Sequence, residues 1–367
     1  MLNKFKVKGY KGFTNEIVLD LTNHNDYQFN KELIKNNIIN KAIVYGKNGS
    51  GKSNLGFALF DIVFHLTDNN KNMREKINDN YINMDNNENY VEFYYEFTFG
   101  KDILKYLYKK EDLDKLLYEE LYLNNELLIK YDFNNKKNRI INIEEAKTLN
   151  WKIDNEDLSV LKYIYNNTVL NKDNVINKLF DFVNGMLWFR SVDFNGFIGL
   201  RSTSELLNNI IIDNHKTTDF NDFLTECGID YNLGEAQTPM GKILTVKKNN
   251  KVAPFDTIIS SGTKALWLYY CWEIYFDKVK FLFIDEFDAT YHFELAAKIV
   301  DKLNKQKNFQ TILTSHNTYL MTNKLSRPDC TFIITPTSIK NLSSCTDKEL
   351  REAHNIEKLY REGVFTE

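Results

Sequence analysis

Residues 46–54 read GKNGSGKSN, and the five residues before them, 41–45, read KAIVY. A short apolar strand therefore runs straight into a glycine-rich turn. The run SNLGFALFDIVFHL, 53–66, follows with apolar residues at helical spacing. In a strand–loop–helix setting each residue type of G-x-x-x-x-G-K-S has a physical task. Gly46, Gly49 and Gly51 let the backbone turn so that its amides, with those of Lys47, Asn48 and Ser50, point at phosphate oxygens. The helix adds its positive N-terminal end. Lys52 is expected to reach the β- and γ-phosphates, and the Ser53 hydroxyl to ligate Mg²⁺. Asn54 completes the loop, and the expected ligand is ATP with Mg²⁺.

Further along, KFLFIDEFD at 280–288 sets four apolar residues before Asp285 and Glu286. A buried strand ending in two acids suits a metal site, with Asp285 holding Mg²⁺ through Ser53 and water. Glu286 would orient or deprotonate the attacking water. Alone, this is also how an ordinary strand ends at a solvated acid. The phosphate loop upstream favours the functional reading, and the second acid favours hydrolysis over transfer to another substrate. ILTSHN at 312–317 is a second apolar strand ending in polar residues. His316 stands where open α/β sheets place ligand contacts, ready to sense the γ-phosphate or steady the water. A lone histidine is more often structural.

IISSGTKALWLYY at 258–270 opens a helix that is apolar almost all round. Ser260, Ser261, Gly262 and Thr263 can cap it with hydroxyls and free amides. By itself that is a plain helix cap.

The 367 residues suffice for one large domain or two modest ones, and 43% are hydrophobic. A net charge of −3, from 47 basic and 50 acidic residues, gives no overall case for a dedicated nucleic-acid binder. The four cysteines, Cys227, Cys271, Cys330 and Cys345, fit no zinc knuckle or disulfide framework. No apolar stretch approaches a membrane span, and the N-terminus lacks an apolar signal core. A soluble cytoplasmic protein with no membrane contact is expected.

Residues 4–21 read as two strands around GYKGF, and 90–143 as an antiparallel meander. Residues 67–89 are expected to be loop with some helix. Residues 144–232 read as mostly helical, VINKLFDFVNGMLWF and DFNDFLTECG being the clearest helices. ILTVKKNNKVAPFD reads as a strand pair. After the serine-rich cap, helix and strand alternate, TYLMTN being one of the helices, which marks a parallel sheet with crossover helices. The expected division is an N-terminal lobe with the phosphate loop (1–66), a meander and helical insertion (67–245), and a C-terminal lobe (246–367). There are no sustained heptads, so no long coiled coil is expected.

Phosphate loop, serine-rich cap, apolar-Asp-Glu, strand-His is an order that resembles the ABC-type ATPase head, in its SMC-like branch. The resemblance implies an α/β P-loop NTPase fold and a homodimer, or a higher assembly of dimers, in which Ser260 to Thr263 close on the ATP of another copy. FKVKGYKGF, SSGTKAL, FLFIDEFDATYH, TILTSHNTYLM, LSRPDCTFI and IEKLYREGVF are similar to a family of stand-alone bacterial ABC-type ATPases of phage-defence systems, filed as AAA-family ATPases. AbiL-type and PARIS ATPase subunits belong with it.

That resemblance implies a nucleotide contact by Lys11 and signalling across the dimer by Asp288. His292 matches a recurring histidine, with Phe293 where proline is usual. It also implies control of a separate nuclease- or toxin-like effector, and a phage-encoded trigger. One departure stands out. Such heads use a glutamine between the phosphate loop and the Ser-Gly motif to complete the metal shell, and Gln237, the glutamine of that interval, is wrongly placed. An acid or asparagine from the meander, or water, is expected to fill in, with slow turnover.

Two other readings compete. A DNA-repair-type head would want a basic surface and coiled-coil arms, so DNA binding is possible but not favoured. A small-molecule kinase or GTPase would leave the Ser-Gly motif and acid pair unexplained, and the N/T-K-x-D sequence that reads guanine is missing.

Overall fold

The computed structural model describes residues 1–69, 73–135, 139–151, 158–191, 193, 196–200, 207–239 and 241–365. Strand β1 (Leu2–Lys8) alternates, with Phe5 and Val7 buried and Lys4 and Lys6 outward, and β2 (Ile17–Asp20) returns beside it. A small hairpin, β3 (Ile34–Lys35) and β4 (Ile38–Ile39), leads to β5 (Lys41–Tyr45), buried along its whole length. The glycine loop follows, then α1 (Lys52–Leu59), α2 (Asp61–Leu66) and the short α3 (Arg74–Asn78).

The expected meander is β6 (Val91–Phe99), β7 (Asp102–Lys110), β8 (Leu116–Leu123), β9 (Glu126–Asp132) and β10 (Ile140–Ile141). Its period of two sends Phe93, Tyr95 and Phe97 inward and Glu92, Tyr94 and Glu96 outward. Helices α4 (Val160–Asn167) and α5 (Val175–Asn184) begin at Ser159 and Asn174, whose side chains accept from Lys162 N and Ile176 N.

The segment after α5 departs from expectation. MLWFR is not helix but strand β11 (Met186–Arg190), hairpinned to β12 (Phe197–Ile198). Gly185 ends α5, and the run Met186–Phe189 is buried as a strand. Next come α6 (Leu207–Asp213) and α7 (Thr217–Glu226). A three-stranded sheet follows: β13 (Leu233–Thr238), which sequence reading missed, β14 (Gly241–Lys248) and β15 (Lys251–Pro254).

The C-terminal part runs α8 (Phe255–Ile258), α9 (Ser261–Glu273), β16 (Phe281–Asp285), α10 (Phe293–Asn304), β17 (Gln310–Ser315), β18 (Thr331–Ile334), β19 (Ile339–Asn341) and α11 (Ile356–Arg361). TYLMTN forms one 3-10 turn, Thr318–Leu320, rather than a helix. Among the described residues the longest helix, α9, has 13 residues, so no long coiled coil is present. None is long and apolar enough to cross a membrane.

Two seven-stranded sheets carry the fold. One is antiparallel, in the order β10-β9-β8-β7-β6-β1-β2. The other, β12-β11-β16-β17-β5-β18-β19, is parallel from β11 to β18 with antiparallel edges. The parallel strands are apolar on both faces because both are covered. Ala42, Val44, Phe281, Phe283 and Ile312 join the core shared with the antiparallel sheet, α1, α2 and α5. Ile43, Tyr45, Leu282, Ile284 and Leu313 join a second core with α9 and α10.

Gly56 lets α1 lie close on this sheet. A Cβ there would stand 2.6 Å from Trp188 Nε1 and 2.9 Å from a Phe283 ring carbon. The parallel strands end on one edge, which presents Gly46, Arg190, Asp285 and Ser315 together.

Candidate functional site

The loop between β5 and α1 is built as an anion cradle. Ser50 N donates to Lys47 O (3.1 Å), which closes the turn, and Leu55 N to Gly51 O (2.8 Å). Among the described residues the amides of Gly49, Gly51, Lys52 and Ser53 donate to no backbone carbonyl. Unpaired amides at the start of a helix are a concentrated positive potential. The buried Ser50 Oγ also has no partner among the described residues. Gly51 holds φ +100°, and a Cβ there would meet the Phe13 ring at 2.6 Å.

Lys52 folds back over this loop, donating to Gly46 O (2.7 Å) and Lys47 O (3.0 Å). Burial lowers its pKa, against the pull of Glu286, Asp285 and Asp288. Gly46, Lys47, Asn48, Gly49 and Ser50 line a cavity of about 240 Å³ with Ile334, Pro336 and Tyr360.

The acid strand meets the loop directly. Ser53 Oγ donates to Asp285 Oδ2 (2.7 Å) and Thr314 Oγ1 to Asp285 Oδ1 (2.7 Å). Asp285 is fully buried; desolvation raises its pKa, and the Thr314 and Ser53 hydrogen bonds oppose the rise. Glu286 N donates to Thr314 Oγ1 (2.8 Å), and Glu286 sits at φ +49°, a left-handed conformation rare for glutamate. That turn swings its side chain off the strand line.

Arg190, at the end of neighbouring β11, clasps Glu286. Its Nε donates to Glu286 Oε2 (3.0 Å), its Nη2 bonds the same oxygen, and Nε stands 3.9 Å from Asp285 Oδ2. Ser191 bonds the backbone around the pair, through its hydroxyl to Glu286 O and through its N to Asp285 O (3.3 Å).

Sequence reading did not name Arg190, Ser191 or Thr314. The signal was present, because MLWFRS is an apolar run ending in polar residues like FLFIDE and TILTSH. As for the expected substitute for the glutamine, no acid or asparagine of the meander is hydrogen-bonded, among the described residues, to the carboxylates of Asp285 or Glu286. Among the described residues, the side chains hydrogen-bonded to the carboxylates of Asp285 and Glu286 are those of Ser53, Thr314 and Arg190. Gln237 lies exposed on β13 and donates to Thr238 O (3.1 Å).

Asp288 is buried beside this cluster. Ser315 Oγ donates to its Oδ2 (2.8 Å), while Oδ1 has no partner among the described residues. Burial raises its pKa. His316 is exposed just past β17, close to Asp288.

Lys11 is drawn elsewhere. The GYKGF turn packs on the cradle through Phe13 at Gly51 and through Asn54 Nδ2, 3.1 Å from a Cβ placed on Gly12. Yet Lys11 Nζ donates to Lys76 O (3.3 Å) and to Asp79 O. Burial lowers its pKa to about 8.

Ser260 Oγ accepts from Thr263 N (3.2 Å) and caps α9. Ser260 and Ser261 are exposed, with no hydrogen bond to residues 46–54 among the described residues. A Cβ on Gly262 would stand 3.0 Å from Thr290 O, so this helix start abuts the loop after the acid pair. His292 is the N-cap residue of α10, and Phe293 is 42% exposed.

A β-strand, a phosphate-cradling loop and an acid strand in one parallel sheet define a P-loop NTPase. The chain belongs to the family described as "AAA domain, putative AbiEii toxin, Type IV TA system", whose model matches residues 41–322. No curated protein matches it. Among solved structures it is similar to the SmcHead bound to the C-winged helix domain of ScpA (14% identity, TM-score 0.49, 92% of this chain and 96% of that one). It is also similar to the SMC head domain from Thermotoga maritima (14%, 0.45, 93% and 98%). A third is the recombination mediator protein RecF (14%, 0.42, 93% and 98%).

Proposed function

We propose that this AAA-family chain binds and hydrolyses ATP between two copies of itself, and that the pair regulates a separate effector in bacterial antiphage defence. The observation that carries the hydrolytic part is the cluster Ser53–Asp285–Thr314–Glu286 beside a cradle of unpaired amides. These groups fit Mg²⁺ and a triphosphate. The amides of Gly49, Gly51, Lys52 and Ser53, with the Lys52 ammonium, would hold the phosphates, and Ser53 and Asp285 would hold Mg²⁺. The metal would supply charge neutralisation on the phosphate oxygens. Lys52 would leave the Gly46 and Lys47 carbonyls for a phosphate oxygen. Glu286 would take the proton of the attacking water, with His316 steadying that water. Lys11 reaches a nucleotide only by releasing the carbonyls of residues 76 and 79.

The exposed Ser260 and Ser261, unconnected to their own cradle, support a role in trans on a neighbour's nucleotide. The position of Gly262 against Thr290 supports a signal from that motif through the loop of Asp288. The family's description as a putative AbiEii toxin supports the abortive-infection setting. A phage-encoded trigger and a separately supplied nuclease- or toxin-like effector complete the proposal.

Mixing two inactive variants tests the shared site. Lys52→Ala and Ser260→Arg should each lose ATP hydrolysis, and an equimolar mixture should regain part of it, because one of the two sites in a mixed pair is intact. A mixture as inactive as its components would rule the shared site out. Co-purification of wild-type and Glu286→Gln chains with a genetically adjacent toxin or nuclease tests the regulatory part.

A further inference from the structure

We infer that Arg190 is a positioning residue for the water-activating step, tethering one carboxylate oxygen of Glu286 so that the other is presented as the base. The inference rests on the hydrolytic reading above and adds a residue to it.

The geometry is specific. Both Arg190 Nε and Nη2 converge on Oε2 of Glu286. Oε1 has no hydrogen bond among the described residues, and the Glu286 side chain keeps 24% of its exposure. A carboxylate held by one oxygen cannot rotate freely, and its other oxygen points in a fixed direction. The arginine is itself held, because Arg190 pairs in register with Asp285 in the parallel ladder and Ser191 bonds the backbone on both sides of the acid pair. Glu286 alone, in a left-handed turn at a strand end, has no comparable restraint.

In hydrolysis the water oxygen bonds to the γ-phosphorus. The bond from that phosphorus to the bridging oxygen breaks, its electron pair leaves with ADP, and the water proton passes to Oε1 of Glu286. A planar guanidinium suits the restraining task, since two of its rigidly held N–H groups can share one carboxylate oxygen. Being a cation, it cannot ligate Mg²⁺, so it serves the base and not the metal shell.

The test uses the full chain with Arg190→Ala and Arg190→Lys. ATP binding is followed with a fluorescent ATP analogue, hydrolysis as Mg²⁺-dependent phosphate release, and folding by thermal melting. Arg190→Ala should lower kcat by about 10- to 100-fold, the cost of a misplaced catalytic group, with KM, binding and melting little changed. Arg190→Lys should restore part of kcat, keeping the charge and one donor. An Arg190→Ala chain with wild-type kcat overturns the inference. So does loss of kcat together with ATP binding and thermal stability, which marks a structural role. Wild-type chain that hydrolyses ATP no faster than Lys52→Ala overturns the hydrolytic reading itself, and this inference with it.

Discussion

Ser53 Oγ donates to Asp285 Oδ2 across 2.7 Å, joining the first turn of α1 to the end of β16 over 232 positions of sequence. The bond ties a helix N-terminus to a carboxylate that burial makes costly to ionise. Asp285 is thus expected to be held at the expense of stability. Asp285→Asn should abolish Mg²⁺-dependent ATP turnover and raise the unfolding free energy of the nucleotide-free chain by about 0.5–2 kcal/mol. Paired melting curves and phosphate-release assays check both halves. A variant that melts lower than wild type would show that the carboxylate holds the fold together.

The loop glycines separate two costs. Gly49 has φ +80° with nothing within 4 Å of a Cβ, whereas Gly51 combines φ +100° with the Phe13 ring at 2.6 Å. Gly49→Ala should cost about 1–2 kcal/mol, the strain of a left-handed non-glycine residue. Gly51→Ala should cost more and also push the GYKGF turn off the cradle, weakening ATP binding. Chemical denaturation of the two variants, with a nucleotide titration, measures the difference.

Lys41 is buried at the far end of the phosphate-loop strand, donating to Phe309 O (2.9 Å) and Thr311 Oγ1 (3.0 Å). Desolvation, aided by Lys35, lowers its pKa to about 7 from 10.5. Between these values the unfolded chain carries a proton that the folded chain has released. Unfolding therefore takes up a proton, and stability from this residue rises with pH by about 1.4 kcal/mol per unit. Below pH 7 both states are protonated and the penalty is complete. Urea midpoints at pH 7 and pH 9.5 should differ less in Lys41→Met than in wild type.

Asp61 and Lys110 form an ion pair of 2.8 Å with side chains 0% and 1% exposed. Tyr81 and Tyr108 also donate to Asp61, at 2.7 and 2.9 Å. Lys110→Met leaves the carboxylate buried without its cation and should destabilise by about 3–5 kcal/mol. Adding Asp61→Asn should recover part of that loss, and a double-mutant cycle by denaturation gives the coupling.

What could be read from the sequence was what local chemistry dictates. KAIVY, GKNGSGKS and FLFIDE each name their own conformation, because a buried strand, a glycine turn and a terminal acid leave direct marks. The meander was legible through its period of two. Arg190 was missed although its run ends in polar residues, because the short apolar run MLWF follows a true helix and carries no period to tell strand from helix. Leu233–Thr238 was missed for the opposite reason, being too polar to signal a strand. The Asp61–Lys110 pair spans 49 positions and two elements, so only the folded sheet brings it together.

Strand β11 also bears on how the chain can be cut. The long middle segment departs just after α2, lays β6 beside β1, and comes back through β11 between β12 and the acid strand. It is a handle riveted at both ends. Excising it to obtain a minimal P-loop core would strip a parallel strand from beside β16 and leave β1 paired with β2 alone. The same deletion would take away Arg190. Protein engineers would therefore gain more from point substitutions on the handle's outer face than from trimming it.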